Sequence, residues 1–232
     1  PDERREGTTL LANAPFGGEE PYLRMFRDYV QNDRDPLVKA AAARGLARHG
    51  APEDAVLIAA LLQDESVVVR WEAAKGLQRL HNPAVVRDLI RSLSDEGEET
   101  LVRVAAAVAL GQYPEGRVVP GLIGGLNARG LAINRAAHDS LVLLTGADID
   151  MDARAWLDWY DGAVVDGTVF DGQTGYLYPT YRRSIRWYEH IAFWTDKTFE
   201  RPNTPIGLRP ADERSTYETD EEAVPHQTYE DG

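Results

Sequence analysis

The residues most able to do chemistry are few and scattered. Histidines stand at 49, 81, 138, 190 and 226, with no HExxH pair to hold a metal, and the adjacent pair Glu189-His190 is acid first. His49 and His81 close helical stretches, where a cation suits the helix dipole. His138 takes a slot that small residues fill elsewhere, and reads as a partly buried, hydrogen-bonded side chain. Asp148, Asp150 and Asp152 alternate as at the start of a calcium loop. Such a loop also needs glycine at its sixth position and an acid at its twelfth. Those places hold Ala153 and Trp159, so the run reads as turn chemistry with Asp152 capping a helix. The lack of cysteine removes disulfides, thiolate metal sites and cysteine nucleophiles. Gly121, Gly124 and Gly125 fall within helical periodicity rather than after a strand, so they are no phosphate loop. The expectation is a chain with no catalytic, metal or cofactor-binding residues.

A second concentration of residues suits recognition. Tyr176, Tyr178, Tyr181, Trp187, Tyr188, Phe193, Trp194 and Phe199 fall within 24 residues, interleaved with Arg182, Arg183, Arg186 and Lys197. Tyrosine, tryptophan and arginine are the usual interface anchors. The partner-binding set is therefore expected to be Tyr176, Tyr178, Tyr181, Arg182, Arg183, Trp187, Tyr188, Phe193 and Trp194. The same segment can instead fold back on its own chain as a cap, or stack on a single-stranded nucleic acid. Residues 180–194 have helical spacing, Asp171-Gly172 suggests a hairpin turn, and Pro202, Pro205 and Pro210 predict an extended run. Beyond Arg209 come eight acids between Asp212 and Asp231 against Arg214, too polar to fold alone.

Composition narrows the partners. The 232 residues suggest one or two domains. The 25 Lys and Arg against 38 Asp and Glu give a net charge of −13, which disfavours nucleic acid as the main partner. Mean hydropathy is −0.40, and no stretch approaches the roughly 18 apolar residues of a membrane span, so no direct membrane insertion is expected. The chain starts at Pro1, which is compatible with processing after export, so the cell envelope and the cytoplasm both stay open as locations.

These residues are positioned by a repeat. Four segments align: Val38-Lys39 to Leu46, Val69-Arg70 to Leu77, Val102-Arg103 to Leu110, and Ile133-Asn134 to Leu141, at offsets of 31, 33 and 31. Ala42, Ala73, Ala106 and Ala137 share one place in the register, with a leucine four residues later on the same helical face. A second amphipathic stretch precedes each segment, as in Val85-Val86-Leu89-Ile90-Leu93. Proline stands near the start of the first three of these, at 21, 52 and 83. The unit is thus helix–turn–helix, repeated four times, and stacking buries faces that one unit alone leaves open.

The pattern D-x-x-x-x-V-R-x-x-A-A-x-x-L, at Asp64, Val69-Arg70, Ala73-Ala74 and Leu77, resembles HEAT repeats, including the short bacterial form also found in phycobilin lyases. The resemblance implies an all-α solenoid of about four helix pairs whose second helices line a concave face. It also implies a charge ladder of Lys39, Asp64, Arg70, Asp95 and Arg103, with Asp33 or Asp35 serving Lys39, Asp64 serving Arg70 and Asp95 serving Arg103. Arg44, Lys75, Arg79 and Arg135 then form a modest basic stripe. The His-Glu metal ligands of HEAT-like deoxyhypusine hydroxylases have no counterpart here. The expected layout is an extended lead-in over 1–20, the array over 21–145, a short capping helix over 146–161 with Trp156 closing the stack, and an aromatic then acidic extension over 162–232. The expected role is a non-catalytic scaffold or assembly subunit that contacts other protein subunits. The alternative is an accessory or lyase-like protein that carries a ligand to a partner.

Overall fold

The computed structural model describes residues 2–173 and 205–208. Among them are ten α-helices: α1 (Asp2–Asn13), α2 (Glu20–Asn32), α3 (Pro36–His49), α4 (Asp54–Ala60), α5 (Val67–Leu77), α6 (Val86–Ser94), α7 (Thr100–Leu110), α8 (Val118–Leu126), α9 (Leu131–Thr145) and α10 (Ala153–Asp166). Local chemistry sets several boundaries. Asp35 accepts from the Leu37 N–H at 3.0 Å, and Pro36 starts α3 where its missing N–H costs nothing. Asp152 caps α10 by accepting from the N–H groups of Arg154 and Ala155 at 2.8 and 3.2 Å.

The helices form two layers. α2, α4, α6, α8 and α10 follow one another in the first, and α1, α3, α5, α7 and α9 in the second. α2·α3, α4·α5, α6·α7 and α8·α9 pair across the layers as four units. The repeat register places its rows at the layer interface. Ala42, Ala73, Ala106 and Ala137 are all fully buried, and so are Leu46, Leu77, Leu110 and Leu141. Methyl groups in the first row let neighbouring helices approach, and leucines in the second fill the space between layers.

The lead-in is a correction to the sequence reading. Residues 2–13 are helical, not extended, and α1 packs on α3 as α3 packs on α5. The physical reason is a degenerate copy of the repeat. Arg5, Thr8, Thr9 and Ala12 align with Arg70, Ala73, Ala74 and Leu77, and Thr8 and Ala12 are buried. Each threonine hydroxyl donates to a carbonyl four residues back, at 2.7 and 2.8 Å, so it turns no unsatisfied polar group inward. α1 therefore takes the place of a second helix in the array.

The other end mirrors this. α10 packs on α8 in the place of the first helix of a further unit. It runs to Asp166, past the boundary expected at 161, because Gly162 lies on an open face and the helix stops only at Gly167 in the left-handed region (φ +72°). Trp156 is fully buried there and donates from its indole N–H to the Asp150 carbonyl at 3.0 Å. At the turn expected around Asp171-Gly172, Asp171 and Gln173 donate three residues back, to the carbonyls of Thr168 and Phe170, and the return arm of a hairpin lies outside the described residues.

Burial also corrects the reading of two histidines. His49 ends α3 beneath α1, with Nε2 3.3 Å from the Ala12 carbonyl oxygen. Burial first, and then Arg48, push its pKa down to about 4, so the helix dipole does not keep it charged at neutral pH. His81 is pushed down by burial too, and its ring stacks on Tyr113 with centroids 4.5 Å apart. Because the folded chain resists protonating His49, stability is full above its unfolded pKa of about 6.5 and falls as pH drops toward 4. The loss is at most about 1.4 kcal/mol per pH unit in that window. His49→Gln is expected to flatten the dependence between pH 7 and 4.5, measured by urea melts at each pH. An unchanged slope would show that His49 protonates freely.

Candidate interaction surface

The outer face of the second-helix layer carries the most distinctive surface. Ala40 and Ala41 leave the middle of α3 low between its neighbours. Asp2, Arg5, Glu6, Thr9 and Leu10 of α1 rise on one side and Val68 of α5 on the other, enclosing a groove of about 450 Å³ with Leu37 and Arg44 also lining it. Every one of these residues belongs to the second layer, so the groove faces away from the first. Leu37, Val68 and Leu101 occupy one register position, offset by 31 and 33, and are 46%, 42% and 45% exposed. Leu10 adds a fourth apolar side chain, 63% exposed. An apolar row repeated on three successive helices is a recognition feature rather than scattered surface.

Charges flank the groove. Arg44 pairs with Glu72, which is itself buried. Lys75, one repeat after Arg44, sits 4.6 Å above the Trp71 ring, and burial holds its pKa below the usual lysine value. One turn further along the helices, Arg48 donates to Asn13 Oδ1 at 2.7 Å, and its repeat equivalent Arg79 is fully buried. The four-residue stripe expected from the sequence does not form as one row. Arg44 and Lys75 share a register with Val108 and Asp139, Arg79 with Arg48 and Gln112, and Arg135 with Trp71 and Val104. The basic column is confined to α3 and α5.

The ladder is also assembled differently from the expected pairs. Bases reach forward to the next unit's turn: Arg5 to Asp35 at 2.6 Å, Lys39 to Asp64 at 2.7 Å, and Arg70 to both oxygens of Glu98 at 2.7 and 2.9 Å. Asp33 receives Arg4 rather than Lys39. Arg70 meets the backbone carbonyl of Asp64, not its carboxylate. The Asp95–Arg103 pair is replaced: Arg103 donates to the Leu93 carbonyl at 2.9 Å, and Asp95 accepts from the Gly97 N–H at 2.8 Å. The turn before α7 holds Asp95, Glu96, Glu98 and Glu99, and Glu98 is the acid within reach of Arg70. Burial works to raise the Asp64 pKa, but the Lys39 ammonium and the Ser66 N–H outweigh it and hold the carboxyl below its ordinary range. In the first layer Arg27 grips Asp54 with two bonds, at 2.7 and 3.1 Å, a rung that the second-helix motif did not indicate.

The expected partner-binding residues Tyr176, Tyr178, Tyr181, Arg182, Arg183, Trp187, Tyr188, Phe193 and Trp194 lie outside the described residues. The chain after them returns to the array. Ile206 donates to the Arg79 carbonyl and accepts from the His81 N–H, both at 2.7 Å, forming a parallel bridge beside Leu80 at the end of α5. Ile206 is buried. Gly207 has φ +107°, and a Cβ there would lie 2.4 Å from the His81 carbonyl oxygen, so the clip requires glycine. Of the extended run expected at Pro202, Pro205 and Pro210 only Pro205 is among the described residues, and its carbonyl accepts from the Leu208 N–H at 3.0 Å in a turn.

Among the described residues no helix is long and apolar enough to cross a membrane, and no group of three His, Asp or Glu is placed to hold a metal ion. His138 is half-buried and bonds through Nε2 to the Ile149 carbonyl at 2.8 Å.

Stacked helix pairs, a forward-reaching charge ladder and an open second-helix face define an α-helical repeat protein of the kind that mediates protein–protein interaction. The family model for HEAT repeats matches residues 23–111 and 54–141, about half of the chain, and the chain belongs to that family. No curated protein matches the sequence.

Proposed function

We propose that this chain is a non-catalytic scaffold or assembly subunit that seats a partner protein in the groove over α3. The observation that carries this reading is the apolar row of Leu37, Val68 and Leu101 beside that groove. A row spaced by the repeat offers anchors in register for an amphipathic helix or an extended segment. The aromatic set from Tyr176 to Trp194 supplies a second group of anchors in this proposal, on the segment between Gln173 and Pro205. Several weak contacts on one body suit an assembly subunit, because linked sites raise avidity without any one being strong.

The test is purification of the tagged chain from its native source, with composition read by native mass spectrometry. The expected result is stoichiometric co-migration with one or more protein subunits. The double variant Leu37→Asp, Val68→Asp is expected to stay helical by circular dichroism and to lose them. A chain that migrates alone would overturn the scaffold reading. A complex that survives the double variant but is lost on Trp187→Ala, Trp194→Ala would move the interface to the aromatic set.

A further inference from the structure

One register position, read across the second layer, holds Glu6, Ala40, Trp71 and Val104. The groove lies over Ala40, where the next two units carry a larger side chain, and its walls are apolar at Leu10, Leu37 and Val68. α1 and α5 flank α3, so their axes stand at most about 16–20 Å apart at the usual spacing of packed helices. A further helix, about 10–12 Å across with its side chains, fits half-sunk between them. The ladder decides the charge of this rim. α1 begins Asp2-Glu3-Arg4-Arg5-Glu6. Both arginines turn onto the chain before α3, Arg4 to Asp33 at 3.2 Å and Arg5 to Asp35 at 2.6 Å. Arg44, also lining the groove, is held by Glu72. Asp2 touches Arg5 at 3.4 Å with its side chain 95% exposed, and Glu6 is exposed with no ion pair among the described residues. The bases around the groove are thus engaged by acids of the array itself, while acids of α1 face solvent. We infer that the groove over α3 takes an amphipathic helix of another protein, with an apolar stripe over Ala40 and Ala41 and lysine or arginine on the edge that faces Asp2 and Glu6.

The inference rests on the partner reading of the same groove and adds the chemistry of the occupant. A helix seated in a groove is read through anchors at i, i+3, i+4 and i+7. The floor of this groove has that spacing too, at Leu37, Ala40, Ala41 and Arg44, so the two helices can interlock along their length. A basic edge on the occupant neutralises Asp2 and Glu6 and leaves the Arg5–Asp35 and Arg44–Glu72 pairs intact. An acidic edge would instead set like charges side by side. The two readings fail separately. Co-migration of the native chain tests whether a partner exists, and the peptides below test which chemistry the groove accepts.

The probes are two fluorescein-labelled synthetic peptides of about 18 residues, some five helical turns. Both carry the same leucine stripe, and the opposite face holds lysine in one and glutamate in the other. Anisotropy titrations against the full chain at low salt are expected to show the lysine peptide binding and the glutamate peptide binding far less. Three variants locate the site. Asp2→Asn with Glu6→Gln removes two acids at the rim and is expected to weaken the lysine peptide about two- to twentyfold, the range of two exposed ion pairs. Asp158→Asn with Asp161→Asn removes the same charge from exposed positions of α10 and is expected to leave binding unchanged. Ala40→Trp gives α3 the residue that α5 carries at that place, and is expected to fill the groove and weaken binding about tenfold or more. If its circular dichroism shows lost helix, Leu37→Asp with Val68→Asp provides the same reading. Equal binding of the two peptides, or binding of neither, would overturn the inference. So would equal weakening by the two acid-removing pairs, or binding that survives the groove variants.

Discussion

Trp156→Ala is expected to destabilise the array by about 3–5 kcal/mol, the largest effect of any single truncation considered. The side chain is fully buried and packs edge-on to His138 and Trp159, with ring centroids 6.2 and 5.6 Å away. Its loss leaves a cavity where α10 covers the array and removes the indole hydrogen bond to the Asp150 carbonyl, which keeps the Asp152 N–H at 2.7 Å. Phenylalanine at the same position should recover most of the packing but not the hydrogen bond. Stacked repeats unfold by neighbours, so protection of backbone amides should fall first in α8 to α10 and last in α3 and α5. Urea melts give the total and hydrogen exchange gives the location. A loss below about 1 kcal/mol would mean that α10 contributes little to closing the stack.

Ala73→Leu is expected to cost about 1–3 kcal/mol by overpacking the row that spaces the second-layer helices. Ala73 has no exposed surface, and its equivalents at 42, 106 and 137 have none either. The extra atoms must displace either α3 or α7. Lys39→Leu is the control. It removes the ammonium that holds Asp64, but that pair is partly hydrated, and Asp64 keeps its bond to the Ser66 N–H at 2.9 Å. Its expected cost is about 0–1 kcal/mol. Equal shifts in melting midpoint for the two variants would refute the register.

The array was readable in the sequence because its register repeats the same residue types at the same places. Small residues at 42, 73, 106 and 137 can serve only close helix packing when they recur with a leucine four places on. α1 escaped that reading because its copy uses threonine and alanine where the others use alanine and leucine. Those substitutions lower hydrophobicity without changing the shape of the face. The spacing from Arg5 through Thr8 and Thr9 to Ala12 was the available signal. The ladder was legible as residue types but not as partners. Whether a base reaches its own turn or the next depends on stacking geometry that no local spacing encodes. The groove was not legible, since it arises from two alanines lying between taller neighbours that come from different helices. Nor was the Ile206 clip, where one apolar residue finds a place about 125 positions earlier in the chain.

That clip has a mechanical consequence. A pull on the chain beyond residue 208 does not travel first through the last repeats. It enters the array at Leu80, across the two backbone bonds of Ile206. While those bonds hold, the chain from His81 to Pro205 is a closed loop shielded from tension, and the load falls on the units built from α2 to α5. Only when the clip opens does force pass to α10 and begin to unstack the array from its far end. A clip of two backbone bonds thus decides which half of the protein feels a tug on its tail.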